Sequence, residues 1–187
     1  ELLRLKKNGA EYVFMQMLPA TIVTTFKSAD RIQYSPQFFG TWTSTDPDFF
    51  KLGKGLIRDR LKMQFPGGLP GDKGAGVETL KELWKRYKTV TRFDTAYWEG
   101  VVVGMIVERA ALRAQQKHGK VDRDTINRAM ETFANEDFGG ILPPVTYTKT
   151  SHEASFRGRI VQVREDGSFR PLTDFYTPGK EKIRHLK

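Results

Sequence analysis

The chain has 187 residues, with 31 Lys and Arg against 22 Asp and Glu, a net charge of +9 and no cysteine. Its content of 39% hydrophobic and 28% charged residues is that of a globular protein and excludes a mainly disordered one. The lack of thiols excludes a disulfide scaffold, a zinc ribbon, iron–sulfur ligation and thiol catalysis. Taken alone, the length points to one domain with a core of its own.

Glu1–Gly9 reads as the end of an amphipathic helix, with Lys6 and Lys7 in its last turn and Asn8-Gly9 as its C-cap. No N-cap precedes it, so the chain is expected to be a piece of a longer protein. Ala10–Gln16 is a short apolar run rich in aromatic and branched residues, which predicts a buried strand. Pro19 suits a first helical turn, and Ile22, Val23 and Phe26 continue at helical spacing to about Lys27. Gln37-Phe38-Phe39 predicts a second strand ending at Gly40. Thr45-Asp46-Pro47-Asp48 is expected to cap a short helix through Leu52, and Leu56–Phe65 to form a third strand. Alternating helices and strands over residues 1–65 imply a parallel sheet with helices on its faces. In such sheets ligands sit at the carboxyl ends of the strands. That directs attention to two loops, Gln16–Leu18 and Thr41–Thr45.

Residues 66–76, dense in Pro and Gly, break the pattern and read as a crossover loop. Val77–Tyr87 predicts a helix with Leu80, Leu83, Trp84 and Tyr87 on one face. In Asp94–Lys117 the run Val101-Val102-Val103 alone would indicate a strand. The flanking Glu99 and Glu108 and the helix formers from Ala110 to Gln116 decide for a long, largely buried helix. Asp122 or Asp124 starts another helix, with Ile126, Ala129, Met130 and Phe133 inward. Val145–Thr148, Gly158–Val163 and Phe169–Phe175 are strand-like, and Glu165-Asp166-Gly167-Ser168 is a hairpin turn.

Most motifs tested carry no chemistry. The glycines of 67–76 lack the Gly-Lys-Ser/Thr of a phosphate loop, and Asp72 would repel an anion there. His152-Glu153 lacks a second histidine at metalloprotease spacing, and His118, His152 and His185 lie far apart. Asp46 and Asp48 read as helix capping rather than a carboxylate pair, and no Gly-x-Ser-x-Gly elbow exists. No constellation nominates an enzyme. The positive excess is +4 over residues 1–65, +2 over 66–157 and +3 over 158–187, too diffuse for a nucleic-acid arm. Lys180, Lys182, Arg184 and Lys187 read as a solvated basic tail. The longest apolar run, Val101–Val107, falls far short of the ~18–20 residues of a membrane span, and no signal peptide stands at residue 1. Trp42, flanked by Thr41, Thr43 and Ser44 just after a strand, offers a stacking face beside hydroxyl donors, as small-ligand pockets do.

Four stretches in order carry a resemblance. They are Leu5–Val13, a helix followed by Gly-Ala-Glu and a strand; Phe39–Phe49, a strand-to-helix loop; Tyr97–Ala110, a long helix after a crossover; and Gly158–Val163 with Asp166-Gly167, a closing hairpin. Together they resemble the C-terminal half of the type I periplasmic substrate-binding proteins of ABC transporters, in the group that binds branched-chain amino acids (leucine, isoleucine, valine).

The resemblance implies an α/β fold of two Rossmann-like lobes with parallel, helix-flanked sheets, joined by three crossovers, with the ligand between the lobes. Residues 1–65 and 158–187 would belong to the second lobe and 66–157 to the first, with neither lobe complete. It implies an exported, extracytoplasmic protein whose precursor carries a signal peptide. Its partners would be a small ligand and a membrane permease, with no cofactor, no metal and no nucleic acid. The expected binding residues are Gln16, Met17, Leu18, Thr41, Trp42 and Thr43. Amino-acid binders of this family often place an aromatic residue in the first of these loops and an acid at the Trp42 position. Here Gln16-Met17-Leu18 and Trp42 suit a flatter or more apolar ligand, such as an aromatic acid. A sensor domain of the same fold, and an α/β enzyme domain, are the rival readings. Incomplete sheets would expose apolar edges, so pairing with a second copy or with a missing N-terminal half is expected.

Overall fold

The computed structural model describes residues 1–44, 47–57, 59–69, 71–88, 93 and 95–177. Thr45, Asp46 and the basic tail with His185 lie outside the described residues. The single domain indicated by length gives way to two compact units. The first is Glu1–Pro66 with Gly158–Tyr176, and the second is Gly67–Arg157 together with Thr177.

The first unit is built on a five-stranded sheet of order β1-β2-β3-β4-β5. The strands β1 (Tyr12–Met15), β2 (Gln37–Thr41) and β3 (Leu61–Phe65) run parallel, and β4 (Arg159–Val163) and β5 (Phe169–Pro171) add an antiparallel hairpin. Helix α1 (Leu2–Lys7) leads into β1, α2 (Pro19–Arg31) connects β1 to β2, and α3 (Pro47–Leu52) follows a single 3-10 turn at Trp42–Ser44. Alternation sorts the strands into two faces. Met15, Phe38, Leu61 and Met63 are fully buried and lie on the α2 side, where Ile22, Val23, Phe26 and Ala29 recur at helical spacing. Phe26 meets Phe38 edge-on at 4.8 Å. Arg60 seals this core from above. Its guanidinium stands 4.8 Å from the Phe26 ring, its Nη1 lies 2.8 Å from Asp30 Oδ1, and its Nε donates to the Leu56 carbonyl.

The third strand is shorter than its sequence implies. Leu56 closes a turn by donating its N–H to the Gly53 carbonyl, and pairing begins only at Leu61. The strand-like run Phe169–Phe175 likewise pairs only as far as Pro171.

The second unit is helical: α4 (Ala75–Tyr87), α5 (Thr95–His118) and α6 (Arg123–Met130). Its core gathers Val77, Leu80, Trp98, Ile106, Ala110 and Phe133 with Phe138, Ile141 and Val145 from the segment after α6. Three sequence expectations fail here. Val145–Thr148 forms only isolated bridges, Glu136 with Val145 and Thr148 with Ser151, because among the described residues no sheet of this unit is there to receive it. Helix α5 is not largely buried. Only Trp98, Ile106, Ala110 and Ala114 are buried, while Val103, Val107 and Leu112 are 60%, 45% and 58% exposed, because this unit covers one side of α5 only. Tyr87 also points outward, beneath Arg86.

Helix α5 is fastened to the segment after α6 through Glu136. Arg113 grips both carboxylate oxygens at 3.0 Å and Arg109 reaches one at 3.3 Å. The same guanidinium groups lie over Phe133 and Phe138 at 4.6 and 4.2 Å. Asp122 caps α6 by accepting from the Thr125 N–H, and the Thr125 hydroxyl closes a capping box on the Asp122 N–H. The Lys120 ammonium and these Thr125 donors hold the Asp122 carboxyl well below the usual carboxylate range.

The glycines of the crossover loop serve close approach rather than phosphate binding. A Cβ on Gly76 would sit 2.2 Å from the Phe138 carbonyl oxygen, and one on Gly68 would meet the Ile141 carbonyl at 2.8 Å. The Gly68 and Gly76 N–H groups donate to the Ile141 and Gly139 carbonyls.

Candidate ligand-binding site

Parallel pairing of β1 with β2 puts Met15 opposite Gly40, so both strands end at the same edge of the sheet. The segments that follow, Gln16–Leu18 and Thr41–Thr43, therefore emerge side by side at the carboxyl edge of the first unit, where α/β sheets bind ligands. All six residues singled out from the sequence lie along this edge.

Leu18 is the N-cap of α2, with extended backbone and no side-chain acceptor for the first-turn N–H groups. It is 76% exposed, and Met17 beside it is 40% exposed. Met17 folds back on α2, where the Thr25 hydroxyl lies 3.9 Å from its sulfur while bonded to the Thr21 carbonyl at 2.9 Å. Gln16 is exposed. Across the edge, Trp42 and Thr41 are half-buried, Thr43 is exposed, and the Thr41 and Thr43 hydroxyls share a 2.8 Å hydrogen bond. None of the six side chains is ionisable. What they present is apolar and aromatic surface bordered by hydroxyl and amide groups, chemistry that can recognise a ligand by shape and stacking.

Two residues at this edge escaped the sequence reading. Thr25 reaches Met17 from the second turn of α2; its signal was a polar residue among the inward positions Ile22, Val23 and Phe26. Gln64 lies opposite Thr41 at the end of β3 and is exposed; its signal was the alternation Leu61-Lys62-Met63-Gln64-Phe65.

His118 and His152 belong to the second unit. His118 ends α5 and His152 approaches Glu131 at 3.4 Å, both exposed. Among the described residues no three His, Asp or Glu side chains are grouped to hold a metal ion, and no helix is long and apolar enough to cross a membrane.

The sequence profile of the periplasmic binding protein family matches residues 1–168. The chain belongs to this family. The periplasmic binding protein fold extends to solved structures. One is a branched-chain amino acid ABC transporter protein from Thermus thermophilus with bound valine (TM-score 0.83, 20% identity, all of this chain and 51% of that one). A fatty acid ABC transporter substrate-binding protein from Thermomonospora curvata is as similar (TM-score 0.83, 17% identity, 97% of this chain and 47% of that one). A leucine binding protein from Thermotoga maritima follows (TM-score 0.74, 13% identity, 95% of this chain and 47% of that one). The chain thus spans about half the length of these structures. No match was found among curated proteins. The α/β fold and the family expected from the sequence are both borne out. The family and these structures are solute-binding proteins, not enzymes.

Proposed function

We propose that this periplasmic binding protein chain is part of the extracytoplasmic solute-binding component of an ABC importer, which captures a small organic acid by closure of two lobes and delivers it to a membrane permease. The observation that carries the reading is the convergence of Gln16–Leu18 and Thr41–Thr43 at one carboxyl edge in a chain of this family. In this reading the first unit belongs to the second lobe and the second unit to the first lobe. The connections support a hinge. The chain leaves the first unit after Pro66, enters it at Gly158 and leaves it after Tyr176. These points are neighbours within that unit, because Phe65 pairs with Arg159 and Gly158 exchanges two backbone hydrogen bonds with Tyr176.

Trp42, Met17 and Leu18 form the surface that meets the ligand's uncharged part, an aromatic ring or a branched or extended alkyl group, and the hydroxyls of Thr41 and Thr43 fix its orientation. Solved proteins of this fold include one with bound valine and one described as a fatty acid binder. The test is calorimetric titration of the longest polypeptide the gene encodes with leucine, an aromatic acid and a medium-chain fatty acid. Tight binding of the aromatic acid, weakened about tenfold or more by Trp42→Ala, is expected. Tight leucine binding indifferent to Trp42→Ala would overturn the assignment.

A further inference from the structure

Sulfur is scarce in this chain and unevenly placed. There is no cysteine, so the five methionines are its only sulfur. Met15 and Met63 are buried in the core of the first unit, and Met105 and Met130 pack partly buried against the core of the second. Met17 alone is exposed, at 40%, and it stands in the segment after β1 at the carboxyl edge that carries the candidate site. With thiols absent, an exposed thioether is the most readily oxidised group such a surface offers.

The surroundings of Met17 suit its oxidised form better than its reduced one. The half-buried Thr25 hydroxyl lies 3.9 Å from the Met17 sulfur, and a thioether is a weak acceptor. That hydroxyl donates instead to the Thr21 carbonyl at 2.9 Å, inside α2 where the helical backbone already serves the carbonyl. A sulfoxide oxygen is a strong acceptor that projects one bond length from the sulfur, into hydrogen-bond reach of a hydroxyl free to rotate toward it.

We propose that Met17 is an oxidation site through which hydrogen peroxide controls the candidate ligand site. The sulfur lone pair attacks one peroxide oxygen. The S–O bond forms as the O–O bond breaks, and the departing hydroxide takes the proton from the transferred oxygen and leaves as water. Sulfur loses two electrons and the peroxide gains them. The sulfoxide then accepts from the Thr25 hydroxyl, which holds the side chain against α2 and sets a dipole where the apolar part of the ligand would rest. Binding weakens until the sulfoxide is reduced. The effect on binding rests on the proposed ligand surface, whereas the selectivity for Met17 rests on its exposure.

The test treats the longest polypeptide the gene encodes with dilute hydrogen peroxide and reads two things. Peptide mass spectrometry is expected to show the gain of one oxygen at Met17 at least about tenfold faster than at Met15 or Met63. Calorimetry of the same samples with the aromatic acid is expected to show an affinity about tenfold lower, restored by a methionine sulfoxide reductase with a dithiol as reductant. Thr25→Val should oxidise as fast at Met17 and lose less affinity. Met17→Leu, from whatever affinity it starts, should not respond to peroxide. Oxidation at Met17 no faster than at the buried methionines would overturn the proposal, as would an equal peroxide-induced loss in Met17→Leu. An affinity that Trp42→Ala lowers and complete Met17 oxidation leaves unchanged would sink the redox site alone and leave the ligand surface standing.

Discussion

Glu136→Gln is the sharpest probe of how the second unit holds together. The substitution keeps the shape of the side chain and removes its charge. Wild-type Glu136 receives both Nη2 bonds of Arg113 and one from Arg109, and its own backbone is bridged to Val145 in both directions. The Glu136, Arg113 and Arg109 side chains are 19%, 24% and 38% exposed, so the cluster lies between a solvated pair and a buried one. Exposed pairs contribute about 0.2–1 kcal/mol, and breaking a fully buried one costs about 3–5 kcal/mol. The guanidinium groups keep their rings, Phe133 and Phe138, and Arg113 keeps Thr132, so part of their partnership survives. The expected loss is about 1–2 kcal/mol, which for a chain of this size lowers Tm by about 2–8 °C. Thermal melts of the wild type, Glu136→Gln, Arg113→Met and the double variant give the coupling directly. A Glu136→Gln variant within about 0.5 kcal/mol of wild type, or a double variant equal to the sum of the singles, would refute the clamp.

Gly76→Ala should cost about 1–3 kcal/mol, because the new methyl meets backbone at Phe138 that cannot move without shifting the 137–141 segment; an unchanged melting temperature would contradict this. Asp122 titrates lower in the folded chain than its ordinary value of 3.8. Its stabilising effect is therefore complete above that pH and is lost as pH falls toward the folded value. Hydrogen exchange at the start of α6 should quicken as the pH is lowered below about 4, beyond the intrinsic change of exchange rate with pH. Asp122→Asn should remove that pH dependence, and an identical dependence in the variant would contradict the assignment.

Local chemistry made much of this molecule legible. Pro19 opened α2 where its missing N–H costs nothing, and Ile22, Val23 and Phe26 marked the face that the sheet covers. The glutamates and alanines around Val101–Val103 outweighed the strand preference of three valines, and α5 is continuous there. What failed depended on neighbours. Whether α5 is wrapped on one side or both is not written in its middle residues, Gly100–Val107, which are apolar all round. Val145–Thr148 has the composition of a strand and, among the described residues, no sheet to join. At the carboxyl edge, chain alternation located Gln16–Leu18 and Thr41–Thr43, whereas Thr25 entered only through the turn of α2 that brings its hydroxyl over Met17.

The pairing of β3 with β4 has a consequence for synthesis. Phe65 and Arg159 are direct partners, yet all of Gly67–Arg157 is translated between them. At about 5–20 residues per second, β3 waits roughly 5–20 s on the ribosome before its partner exists. Through that interval Leu61, Met63 and Phe65, which end up buried, stand on an open strand. Nascent chains of this protein are therefore most vulnerable to misassociation while the helical unit is being made, and a chaperone that shields β3 until Val163 emerges would raise the yield of folded protein.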